Sequence, residues 1–96
     1  MNHGTGQPKF LFVPVSGPGG AGEYFRSLAV ARALERRWPG CAIKFIVSRD
    51  APYARDTPYP VRLVDRSPTY ETRAVIDTIE CERPDVVVFD SSGRVA

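Results

Sequence analysis

Residues 10–28 read FLFVPVSGPGGAGEYFRSL, and this stretch decides the fold. The apolar run over residues 9–15 is typical of a strand buried on both faces of a parallel sheet. A glycine-rich loop follows over residues 16–22, and apolar side chains then recur at helical spacing from Leu28 to Trp38. Because a strand, a glycine loop and a helix in this order often hold an anionic group, the stretch raises the question of a ligand.

The rest of the chain continues the alternation of strands and helices. Strands are predicted over residues 42–47, 61–64 and 86–89, and the last of these is predicted to be buried. A helix begins within residues 67–72 and runs to about Cys81, with Val75, Ile76 and Ile79 directed inward. The segment 48–60 contains three prolines and is predicted as a loop, and residues 90–93 are predicted to turn out of the fourth strand. With right-handed crossovers, this order predicts an α/β fold with a Rossmann-like parallel sheet and the strand order 3-2-1-4.

This strand order has consequences for the fourth strand and for the two cysteines. Strand 4 would form an apolar sheet edge, which is a pairing hazard. We therefore expect residues 9–96 to form an α/β unit that is incomplete at its C-terminal end, or one that forms a homo-oligomer through the strand 4 edge. Residues 1–8 are expected to be a flexible lead-in. Cys41 and Cys81 precede strands that strand 1 separates, so we expect both to be free, buried thiols.

Composition excludes several classes of protein. An apolar fraction of 43% with 25% charged residues is typical of a globular chain. The net charge of +2 and the scattered arginines argue against a nucleic-acid partner. No run approaches the ~18 apolar residues of a transmembrane helix, and the N-terminus lacks a signal-peptide pattern, so a cytoplasmic location is expected. The cysteine spacing predicts no metal site, and no cofactor is expected.

The glycine loop allows more than one interpretation. Gly17, Gly19 and Gly22 fit the G-x-G-x-x-G spacing of dinucleotide-binding folds, but bulky residues fill the first helical turn and the acidic residue expected later has only Asp50 as a candidate. Glu23 stands where a Walker A loop needs its lysine, which excludes that motif. The loop can also simply turn the chain, with Glu23 as a first-turn residue favoured by the helix dipole.

The predicted site lies where strands 1 and 4 end, because open α/β sheets bind ligands at the carboxyl ends of their strands. Glu23 is the candidate catalytic residue. The candidate ligand-binding residues are Gly17, Gly19, Gly20, Gly22, Arg26, Asp90, Ser91 and Ser92. Two of them have a plainer alternative, since Arg26 can be an exposed arginine and Asp90 can cap a following helix.

Residues 22–34, GEYFRSLAVARAL, resemble the start of nucleotide-sugar enzymes with the two-domain GT-B fold. They are most similar to MurG-like glycosyltransferases and to the UDP-sugar hydrolases of pseudaminic acid synthesis, whose pattern is close to G-H-x-x-R-[CS]-L-x-L-A-x-x-L. The matching residues are Gly22, Arg26, Ser27, Leu28, Ala31 and Leu34. Residues 84–90, PDVVVFD, also resemble the family's strand before a second loop at the same cleft.

This resemblance implies an N-terminal, acceptor-side subdomain of a protein that transfers a sugar from a nucleotide-sugar donor to an acceptor. Most donor contacts would belong to a C-terminal half, so the 96-residue chain alone is expected to be inactive. Glu23 replaces the histidine that several such families use as a base, and a carboxylate can also accept a proton from a sugar hydroxyl. The alternative is a non-catalytic nucleotide- or ligand-binding module that dimerises through its open sheet edge.

Overall fold

A computed structural model of the chain describes residues 6–15 and 21–91. The strands are β1 (Lys9–Val15), β2 (Ala42–Ser48), β3 (Val61–Val64) and β4 (Val86–Ser91), and the helices are α1 (Gly22–Arg37) and α2 (Thr72–Glu82), with a short 3₁₀ turn at Pro68–Tyr70. The strands form one parallel sheet in the order β3-β2-β1-β4. The predicted α/β fold, with its Rossmann-like sheet and strand order, is therefore confirmed.

Both faces of the sheet are covered because the chain crosses the sheet in one direction from β1 to β3 and returns in the other direction from β3 to β4. From β1 it passes through α1 to β2 and on to β3, and on this face Leu28 and Ala31 of α1 pack with Phe12 and Phe45. It then returns from β3 through α2 to β4, and Val75 of α2 packs on the opposite face of β1 and β2. Right-handed crossovers in opposite directions require the two helices to lie on opposite faces.

The loop between β2 and β3 folds over the same face as α1. Tyr53 of this loop is only 8% exposed, and its ring stacks on the ring of Tyr24 with a centroid distance of 3.9 Å and an interplanar angle of 12°. Tyr59 stacks on Phe45, and its hydroxyl donates a hydrogen bond of 3.0 Å to Glu35 of α1. The loop therefore takes the place of a crossover helix in covering the sheet.

The fourth strand differs from its prediction in length and burial. It pairs with β1 from Phe10↔Val86 to Val15↔Ser91, so the prediction that the chain turns away at Asp90 is wrong. The ladder continues because β1 runs to Val15 and offers backbone partners that far. The predicted burial of β4 is also wrong, since Val86 is 45% and Phe89 60% exposed. β4 is an edge strand, and no other described strand pairs with its outer side.

The structure also tests the predictions for the two cysteines and for the side chains of the helices. Cys41 and Cys81 are both free, as predicted, but only Cys41 is partly buried and Cys81 is exposed on α2. The prediction that Ile76 is directed inward is wrong, since it is 39% exposed while the buried residues of α2 are Val75 and Thr78. Trp38, which ends the apolar helical spacing predicted from Leu28, is 36% exposed because it is the C-terminal cap of α1, and its ring centroid lies 6.1 Å from that of Phe10.

Two lysines form ion pairs that join the C-terminal end of α2 to the amino-terminal ends of β1 and β2. Glu82 accepts a hydrogen bond of 2.7 Å from Lys44 of β2, and Lys9 of β1 lies 3.0 Å from its other carboxylate oxygen. The hydrogen bonds from Lys44 and then Lys9 hold the pKa of Glu82 below its usual value of 4.5. This cluster lies at the amino-terminal ends of the strands, whereas the predicted ligand site lies at their carboxyl ends, so we assign the cluster a structural role.

Candidate functional site

The predicted site lies between the carboxyl ends of β1 and β4. The connection from β1 through α1 leads to one side of this point, and the connection through α2 leads to β4 on the other side. β1 and β4 are neighbours, and Asp90 and Ser91 lie opposite Pro14 and Val15 at the carboxyl end of β1. Helix α1 begins at Gly22, a few residues beyond that end. Ligands of open α/β sheets bind in this crevice, so the position agrees with the predicted site. Four of the predicted ligand-binding residues lie outside the described residues: Gly17, Gly19, Gly20 and Ser92.

Arg26 and Asp90 bind each other through a bidentate ion pair. Arg26 donates from Nε to Asp90 Oδ2 at 2.8 Å and from Nη2 to Asp90 Oδ1 at 2.6 Å. The hydrogen bond and the charge of Asp90 raise the pKa of Arg26, and the charge of Glu23 adds to that effect. The structure thus brings together two residues that were each predicted to bind a ligand, and both oxygens of Asp90 contact Arg26.

Glu23 lies in the first turn of α1 and is half-buried. The N-terminal cap of this helix, Ala21, provides no side-chain hydrogen bond, so an acidic residue in the first turn is the feature that favours the helix start. The placement agrees with the interpretation of Glu23 as a helix-start residue. It also places the carboxylate at the edge where a substrate of this fold would lie, so the prediction of a base remains.

Ser27 is a buried polar residue that the sequence did not single out as a site residue. It is only 1% exposed, and its Oγ has no hydrogen-bond partner among residues 6–15 and 21–91. Ser27 follows Arg26 on α1, which packs against β1 and β4. A small side chain here lets the helix approach the sheet closely. The available signal was its position in the matching R-[CS]-L part of the family pattern.

Two further arginines near the carboxyl ends of the strands are also paired with carboxylates. Arg49, directly after β2, has its Nε 2.8 Å from Asp65 Oδ1. Arg66, just after β3, has its Nε 3.0 Å from Glu71 Oε2. These guanidinium charges are offset by adjacent carboxylates. Neither of these two arginines therefore presents an unpaired positive charge to a polyanion.

The described residues show neither a metal centre nor a membrane-spanning helix. Within residues 6–15 and 21–91, no group of three or more histidine, cysteine, aspartate and glutamate side chains is placed to hold a metal ion. Over the same ranges, neither helix has the length and apolar character needed to cross a bilayer.

Comparison with protein-family models, curated proteins and solved structures finds no match for this chain. The resemblance of residues 22–34 to nucleotide-sugar enzymes therefore remains a prediction that depends on the matching residues of that segment. The fold itself depends on the observed sheet topology and not on that resemblance.

Proposed function

We propose that this chain is the acceptor-side part of a glycosyltransferase-like protein with the GT-B fold. The intact protein would transfer a sugar from a nucleotide-sugar donor to a hydroxyl of an acceptor. The observation that supports this proposal most is the meeting of α1 and β4 at the switch point of the sheet. There, Glu23 and Arg26 of one helical turn lie at the same edge as Asp90.

In the proposed reaction, Glu23 acts as the general base. The acceptor hydroxyl oxygen forms a bond to the anomeric carbon of the donor while the bond from that carbon to the phosphate oxygen breaks. The proton of the hydroxyl passes to the Glu23 carboxylate, and the nucleoside diphosphate leaves with the bonding electrons. The Arg26–Asp90 pair holds the start of α1 to the end of β4, which fixes the backbone that carries Glu23.

The proposal assigns the donor contacts to a second α/β domain, which the resemblance places C-terminal to this one. The first test is to read the coding sequence that follows residue 96. The proposal expects a second α/β domain to be encoded there, and a stop codon at that point would contradict it. A cytoplasmic location and a role for nucleotide sugars belong to the same proposal.

Glu23→Gln in the protein that includes this second domain tests the mechanism. Turnover should fall by roughly 10²-fold or more, the scale of a lost general base, while folding and donor binding stay nearly unchanged. Glu80→Gln is the matched control, because Glu80 is an exposed glutamate on α2 and its replacement should leave turnover unchanged. A Glu23→Gln variant that turns over at the wild-type rate would show that Glu23 is only a helix-start residue.

A second candidate function is a ligand-binding module without catalysis that dimerises through β4. This candidate is favoured by the difference between the two edge strands, β3 and β4, in their protection against pairing. The β3 edge is four residues long, includes Arg62 and follows Pro60, whereas β4 is six residues long and begins VVVF. Charges, prolines and short strands protect edges from pairing, and β4 has none of these except Asp90. A stop codon after residue 96 together with a dimer in sedimentation would favour this candidate.

A further inference from the structure

We propose that Asp90 determines specificity at this edge: by occupying the hydrogen-bonding fork of Arg26, it excludes phosphate groups from the end of β4. The inference rests on the proposed function for the view that this edge faces the substrate. It adds that the substrate contacts Arg26 through groups other than phosphate, although a glycine loop before a helix ordinarily suggests a phosphate site.

The geometry shows that Asp90 takes the position an external anion would take. A phosphate or carboxylate ligand typically binds arginine through two parallel hydrogen bonds from one edge of the guanidinium group. Asp90 makes both of these bonds, to Nε and to Nη2. A ligand that used the same edge of Arg26 would first have to displace a carboxylate from the protein itself.

Asp90 is well placed to resist that displacement. Its backbone is fixed in β4 opposite Pro14, and its side chain is only 17% exposed. The Arg26 side chain is 58% exposed and reaches from α1 to the strand. The carboxylate is therefore held at a high local concentration against Arg26, and a free anion in solution has to compete with it.

The carboxylate charges near Arg26 also disfavour the binding of a phosphate. Glu23 is close enough to Arg26 for its charge to raise the pKa of the guanidinium group. An approaching phosphate would be repelled by the Asp90 carboxylate, whereas an uncharged hydroxyl or amide group can hydrogen-bond to the pair without that penalty.

The test is a titration of the ¹⁵N-labelled chain with inorganic pyrophosphate at constant ionic strength. Binding is followed through the Nε–Hε signal of Arg26 and the backbone amides of the first turn of α1. The wild-type chain should show no saturable shift at these positions. Asp90→Asn should bind pyrophosphate at least about tenfold more tightly, because it removes both the competing carboxylate and one repelling charge.

Two control variants distinguish release of Arg26 from a general loss of negative charge. Asp65→Asn removes a carboxylate from the comparable Arg49 pair, and it should produce no gain in binding at α1. Arg26→Gln added to Asp90→Asn should abolish the gain. The backbone spectrum of each variant verifies the fold, and Asp90→Ser replaces Asp90→Asn if the latter unfolds.

Two results would overturn the inference: no gain over the wild-type chain in Asp90→Asn or Asp90→Ser, or an equal gain in Asp65→Asn. Because the titration does not depend on sugar transfer, such a failure leaves the proposed function in place. Conversely, a gene that stops after residue 96 would contradict the proposed function without changing the result of the titration.

Discussion

Tyr24→Phe should lower the free energy of unfolding by about 1 kcal/mol, and Tyr24→Ala by about 3–5 kcal/mol. Tyr24 is 2% exposed, stacks on Tyr53 and meets Phe45 edge to face with a centroid distance of 6.0 Å. Truncation to alanine removes this packing and leaves a cavity between α1 and the loop that follows β2.

The smaller cost of Tyr24→Phe follows from one hydroxyl group. Thr57 Oγ1 lies 3.0 Å from the Tyr24 hydroxyl and 3.2 Å from the Tyr53 carbonyl oxygen. Because the carbonyl can only accept and Thr57 has one hydroxyl proton, both contacts are satisfied when Tyr24 donates to Thr57 and Thr57 donates to Tyr53. Phenylalanine removes the first bond but leaves the second, so the loss is that of one partly buried hydrogen bond.

Urea unfolding monitored by circular dichroism measures both changes, with an unchanged m value as the sign that the native state is intact. Tyr70→Ala is the matched control, because Tyr70 is 66% exposed and its truncation should cost no more than about 0.5 kcal/mol. Equal losses for Tyr24→Ala and Tyr70→Ala would refute the reasoning that this stack holds the loop to α1.

Three further predictions concern the cysteines, the amino-terminal edge and β4. Cys81 should react with a thiol reagent faster than Cys41, because Cys81 is exposed. The pKa of Cys41 is raised, first by burial and then by the neighbouring Glu35 carboxylate, so less of its thiol is ionised. Equal reaction rates under native conditions would contradict this prediction. The lysine pair lowers the pKa of Glu82, so its contribution to stability is present above pH 4.5 and lost as pH falls through the lowered pKa. In Glu82→Gln that part of the acid dependence should disappear from unfolding curves measured against pH, and an unchanged profile would refute it. If copies associate through β4, Val86→Lys should shift sedimentation toward the monomer while Leu63→Lys on β3 does not; equal effects would exclude β4 as the interface.

Much of the fold follows from local features of the sequence. The apolar run of β1, the helical spacing of α1 and the prolines between β2 and β3 each act over a few neighbouring residues. The handedness of crossovers then leaves few topologies, which is why the order β3-β2-β1-β4 was predictable. The same reasoning placed Glu23 in the first turn of α1 and Arg26 and Asp90 at one edge.

Which of these groups interact depends on the folded arrangement of the chain. Arg26 and Asp90 are 64 positions apart, and no sequence pattern shows that they bind each other and not a ligand. The length of β4 depends on how far β1 extends beside it, and the exposure of Phe89 depends on which segments pack over its face of the sheet. The elements and their order are predictable from the residues alone, because local periodicity and crossover handedness specify both. The pairing of charges and the burial of each face depend on contacts between distant segments, and these exist only once the sheet has formed.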